Sequence, residues 1–111
     1  MKTLKNDCKI QLIKYHPSFG VICLVSNSPF HGTMDIVFNP QESLLEFESF
    51  EAWLKILVLK EFTVESFCRL VFDELSKALG DIPLCVTVHA RTTVHAPVSA
   101  TIERKQQNEK S

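Results

Sequence analysis

The sequence predicts an α+β sandwich, an antiparallel four-stranded sheet with two helices on one of its faces. Apolar side chains alternate with period 2 in two early and two late segments, whereas the middle of the chain repeats them at i, i+3, i+4 and i+7. The order is therefore strand, strand, helix, helix, strand, strand, which closes into two layers around one core. At 111 residues, 45% of them apolar, the chain suits one such core and has no room for a second. Residues 1 to 102 are expected to form a single domain, and the polar residues 103 to 111, with nothing to bury, a disordered tail.

Residues 1 to 7 are polar and expected to be loose. Lys9 to Tyr15 alternates enough to join the sheet at an edge, and His16-Pro17-Ser18 interrupts it. Phe19 to Val25 is β-branched and aromatic, with Phe19, Val21, Cys23 and Val25 on one face. Ser26 to Pro29 has turn chemistry, and Thr33 to Phe38 is the returning strand, ended by Asn39-Pro40. Phe50, Trp53, Leu54, Leu57 and Val58 share a helical face. A second stripe, from Val64 through Phe67, Cys68, Val71 and Leu75 to Leu79, has Thr63 as N-cap and Gly80 as its stop. Leu84 to Ala90 and Val94 to Ile102 alternate as the last two strands.

The formal net charge of −1 argues against a protein that grips nucleic acid through its phosphates. No window approaches the ~20 apolar residues of a membrane span, and the first residues lack the apolar core of a signal peptide, so a cytoplasmic protein is expected. Cys8, Cys23, Cys68 and Cys85 include no CxxC pair and should be reduced there. A small open sheet leaves edges unpaired, and association into a homo-oligomer is the usual remedy.

Two residues stand out chemically. Cys23 ends an apolar run and would be a nucleophile if a cation, a base or a helix terminus favoured its thiolate; otherwise it is a small buried hydrophobe. Glu65 lies two residues past the N-cap Thr63, where the helix dipole favours negative charge, and its two oxygens can accept N–H bonds from a flat, nitrogen-rich ligand. Glu46 is a weaker candidate of the same kind, and a solvated carboxylate ahead of the first helix is its plainer reading. Cys85, His89 and His95 could converge across the last hairpin, but a metal site needs three ligands in fixed geometry, and none is expected here.

The run Pro17-Ser-Phe19-Gly-Val-Ile-Cys23, then Pro29, Phe38-Asn-Pro40, Glu46-Phe-Glu-Ser49 and Glu65 opening a helix resembles the 7-cyano-7-deazaguanine reductase family of the tunnelling fold (T-fold). That family's pattern is P-E-F-T-x-x-C-P-x-T-G-Q-P-D, then Y-x-P, E-S-K-S and F-H-E, and the spacing here matches without a gap from Pro17 to Glu65. The likeness spans roughly residues 9 to 102. It implies that Cys23 adds to a nitrile carbon to form a thioimide, that Glu65, Glu46 and Ser49 bind the substrate, and that NADPH reduces the adduct. It also implies a free deazapurine substrate, a role in queuosine formation for transfer RNA, and sites between subunits.

Phe30 stands where the family has its proton-donating aspartate, Val64 where it has a histidine, and Glu48 where it has a lysine. Arg91 to Ala96 replaces its P-R-G-G turn. A charge-reversed Glu48 opposes a phosphate, and His31, next to Phe30, is the replacement proton donor that the sequence offers. Three functions follow: nitrile chemistry by reduction or by addition of an amine, pterin chemistry as in dihydroneopterin aldolase, which Phe62-Thr-Val-Glu65 and Val98 to Arg104 also resemble, or a non-catalytic subunit.

Overall fold

A computed structural model describes residues 1–92 and 94–106. Among the described residues, eight strands and two helices follow in the order β1 (Thr3–Lys5), β2 (Ile13–Tyr15), β3 (Ser18–Cys23), β4 (Pro29–Phe38), β5 (Ser43–Leu45), α1 (Phe47–Ile56), β6 (Glu61–Phe62), α2 (Val64–Leu79), β7 (Leu84–Arg91) and β8 (Val98–Arg104). The main sheet has six strands, ordered β6-β3-β4-β7-β8, with β2 also on β4. The expected pairings β3–β4 and β7–β8 are antiparallel hairpins, and β4 joins them through β7.

β4 is long enough to serve two partners in succession. Ser18 to Ile22 pairs with its first half, and Ile13 to Tyr15 with its last three residues. Pro17 separates the two because it has no N–H for the ladder, but its carbonyl still accepts from the Met34 N–H at 2.9 Å. The N-terminus is not loose. Thr3 to Lys5 pairs antiparallel with Ser43 to Leu45, and the buried Asn6 side chain ties that sheet down by donating to the Ile10 and Gln41 carbonyls. Other expected bounds move: β2 begins at Ile13 rather than Lys9, β3 ends at Cys23 rather than Val25, β4 begins at Pro29 rather than Thr33, Val94 to Pro97 is loop ahead of β8, and β8 runs two residues beyond position 102. The rest of the expected tail, from residue 107, lies outside the described residues.

One face of the sheet is buried and the other is open, as strand alternation requires. Phe19, Val21, Phe30, Met34, Ile36, Phe38, Val86 and Val88 meet Phe67, Cys68, Val71 and Leu75 of α2 and Phe50 and Leu54 of α1 in one core. Each fully buried side chain of this size contributes roughly 1.5–3 kcal/mol against leaving it in water. α2 begins with a capping box in which Thr63 and Ser66 bond each other's backbone N–H at 3.0 Å, and it ends at Gly80, whose φ of 87° suits glycine. The open face is polar. Asp35 accepts from the rings of His16 and His89 at 2.7 Å each, and the other His89 nitrogen meets Ser99 Oγ at 2.8 Å. Among the described residues no helix is long and apolar enough to cross a membrane.

Candidate functional site

β6 is only two residues long, but it decides where the site forms. It pairs parallel with β3, Ile22 opposite Glu61 and Cys23 opposite Phe62. The Ile22 N–H donates to the Lys60 carbonyl and the Leu24 N–H to the Phe62 carbonyl, at 3.1 and 2.9 Å. The chain then turns directly into α2, so the end of β3 and the first turn of that helix are neighbours. Between them and the β7–β8 loop lies a cavity of about 270 Å³ whose lining is mostly apolar. Cys23 and Glu65 both line it.

The β3–β4 turn shapes the environment of the thiol. The Cys23 N–H donates to the Ser28 carbonyl at 2.8 Å, the Asn27 N–H returns to the Cys23 carbonyl at 2.9 Å, and Asn27 takes a left-handed φ of 57° to allow it. This curl turns the loop back over the half-buried thiol. The Ser26 hydroxyl, buried and without a hydrogen-bond partner among the described residues, acts with the amides of Ser26 and Val25 to hold the Cys23 pKa below the usual thiol value. Burial pushes Cys68 and Cys85 the other way. Cys68 Sγ lies 3.6 and 3.5 Å from the Val86 and Ala100 carbonyls, which makes it a core thiol. Cys23 and Cys68 thus both lie on the covered side of the sheet and Cys85 on the open one, and of the three only Cys23 has its pKa lowered.

Phe30, Val64 and Glu65 line the same cavity, so the positions at which the resemblance implied an acid, a histidine and an anchoring glutamate converge in space. Two of the three carry apolar side chains here. The Glu65 carboxylate is exposed at the rim, and among the described residues it is neither hydrogen-bonded nor ion-paired. It is free to accept from a ligand.

The remaining expected site residues lie elsewhere. Because Phe30 points into the core at 2% exposure, alternation sends its neighbour His31 to the open face. There His31 lines a separate cavity of about 570 Å³, of mixed polar and apolar lining, with Ser18, His89 and Arg91, so it does not supply a proton at Cys23 within this chain. Glu46 is the N-cap of α1 and accepts from the Ser49 N–H at 2.8 Å. Ser49 Oγ donates to the Glu46 carbonyl and accepts from the Lys2 N–H, both at 2.8 Å. These two residues build a helix end rather than the Cys23 cavity, and Glu46 and Glu48 flank a different apolar groove with Leu4 and Phe47.

Of two further cavity residues, Ser26 carried no functional signal in the sequence, and His95 was weighed there only as a metal ligand. Ser26 looks like any turn serine, and only the curl of the hairpin shows that its hydroxyl faces the thiol. His95 lines the cavity from the β7–β8 loop, where the spacing of the sequence had placed a strand residue. Cys85 and His89 are on the open face, away from it.

No family model and no curated protein matches this sequence. Among solved structures, the chain is similar to the crystal structure of the archaeosine synthase QueF-Like in the apo form, with a TM-score of 0.79 and 15% identity. The match covers 88% of this chain and 97% of that one. At that identity the likeness is one of fold, and the fold is the T-fold-like α+β arrangement that the sequence predicts.

Proposed function

We propose that this protein binds a planar deazapurine nitrile in the 270 Å³ cavity and adds the Cys23 sulfur to its nitrile carbon. The observation that carries the reading is the pairing, in one apolar cavity, of a thiol held below its usual pKa with an unengaged carboxylate. Glu65 would accept two N–H bonds from the guanine-type edge, and the apolar walls would cover the ring faces. In the first step the S–C bond forms, one C–N π bond breaks, and the nitrogen gains a proton to give a thioimide. Ammonia or an amine then adds to the same carbon and the thiolate leaves, so that an amidine forms with no change of oxidation state. The structural neighbour, an archaeosine synthase, supports this branch over reduction.

NADPH, which the family resemblance implies, does not suit the cavity. Among the described residues its lining includes no lysine or arginine to meet the cofactor's phosphates. Glu48, at the family's lysine position, sits instead by the start of α1. No step of the proposed reaction uses that cofactor. A pterin would engage Glu65 in the same way but would leave an activated Cys23 idle, and a non-catalytic subunit would have no use for it either. The rim residues Val25 and Val94 are 85% and 56% exposed, and a second copy of the chain in a homo-oligomer would cover them.

Intact-mass analysis after incubation with 7-cyano-7-deazaguanine tests the proposal. The expected result is a gain equal to the whole nitrile, mapped to Cys23 and absent in Cys23→Ala. Added ammonium should then release the amidine and restore the original mass. An unmodified wild-type protein at saturating nitrile rules the proposal out, and pterin binding under the same conditions would favour the alternative.

A further inference from the structure

The geometry points to His95 as the acid that protonates the substrate nitrogen, a role that Phe30 and Val64 leave unfilled. This inference rests on the nitrile reading above. A nitrile nitrogen that receives an electron pair needs a proton at that moment. Among the described residues, the titratable side chains lining the cavity are Cys23 from β3, Glu65 from α2 and His95 from the β7–β8 loop. Cys23 is the nucleophile and Glu65 the anchor, which leaves His95. His31, His89 and Arg91 face the other cavity.

The orientation of the ring is set locally. His95 Nδ1 lies 2.7 Å from the Ala96 carbonyl, and because a carbonyl oxygen only accepts, Nδ1 carries a hydrogen and donates it. Nε2 is left to exchange protons with a ligand. Nor does His95 contribute to the thiol's lowered pKa, which comes from Ser26 and Val25. Thiolate and acid are therefore prepared by separate parts of the fold, as addition across a triple bond requires.

The proton balance closes over one turnover. The Cys23 thiolate attacks carbon, and the electron pair displaced onto nitrogen takes the Nε2 proton, giving a neutral thioimide and a neutral imidazole. Ammonia adds to the thioimide carbon, and Nε2 recovers a proton from the added ammonium. The anionic tetrahedral species then expels the thiolate as the amidine forms. Nitrile and ammonia are consumed, and both Cys23 and His95 return to their starting states.

The test compares the wild type with His95→Ala and His95→Gln, with circular dichroism to verify folding. Two rates are followed against pH: adduct formation with 7-cyano-7-deazaguanine and Cys23 alkylation by iodoacetamide. The wild-type adduct rate should rise as the Cys23 thiolate forms. Both variants should react about 100-fold more slowly, while alkylation is unchanged and added imidazole restores part of the His95→Ala rate. A variant that keeps the wild-type rate and pH profile overturns the role. So does an equal loss in alkylation, which would place His95 at the sulfur instead. No adduct in the wild type overturns the nitrile reading itself, and this inference with it.

Discussion

Gly32→Ala tests how closely β4 and β7 approach beside the cavity. Gly32 faces Ala90 in the ladder, and Phe30 and Ala90 both line the site. A Cβ built on Gly32 falls inside the van der Waals envelope of the His89 carbonyl oxygen and 2.9 Å from its carbonyl carbon. Carbon atoms pack comfortably at about 3.5–4.0 Å, so the two backbones must part by roughly 1 Å. Overpacking of this kind costs about 1–3 kcal/mol, and each ladder hydrogen bond weakened by the separation adds about 1 kcal/mol. We therefore expect a loss of about 3 kcal/mol. With a urea slope of roughly 1–3 kcal/mol/M, the midpoint should fall by at least about 1 M.

Gly20→Ala is the matched control. It sits one strand over, in β3, and a Cβ there meets nothing within 4 Å. Because glycine in a strand interior costs roughly 0.5–1 kcal/mol relative to alanine, this variant should equal or exceed the wild type. Equilibrium urea denaturation of the three proteins, followed by circular dichroism, decides the matter. Equal midpoints for the two variants would show that the β4–β7 approach does not require glycine.

Ser26→Ala should raise the Cys23 pKa, because the largest influence holding it down is the Ser26 hydroxyl; the pH midpoint of iodoacetamide alkylation should move upward, and an unmoved midpoint would remove Ser26 from the site. Asp35 has its pKa lowered, first by its bond to His89 and then by that to His16. Its contribution is thus complete above the unfolded carboxylate value of 3.8 and disappears as pH falls through the lower folded value. Asp35→Asn should flatten the acid limb of a stability-against-pH curve and be least like the wild type above pH 4; identical acid limbs would show that the histidine bonds add nothing.

Helix α2 was legible from end to end, since its stripe, its N-cap Thr63 and its stop at Gly80 depend on residues within a few positions of one another. Strand β7 and the Thr33 to Phe38 part of β4 were legible for the same reason, because alternation is local, whereas the first residues of β4 were not. β1, β5 and β6 were not: two or three residues carry no period, and such strands exist only because a partner far along the chain supplies their hydrogen bonds.

The site divides along the same line. Residue type and spacing picked out Cys23 and Glu65, but nothing in the amino-acid order says that they share a cavity. The parallel pairing of Phe62 with Cys23 brings them together across about forty positions of chain. Likewise, alternation about Phe30 sends His31 to the far face, and the closing of the β7–β8 hairpin carries His95 to the cavity. Local periodicity specifies elements and caps, whereas the side chains that meet across a cleft are chosen by long-range register, which depends on the packing of the whole sheet against its helices.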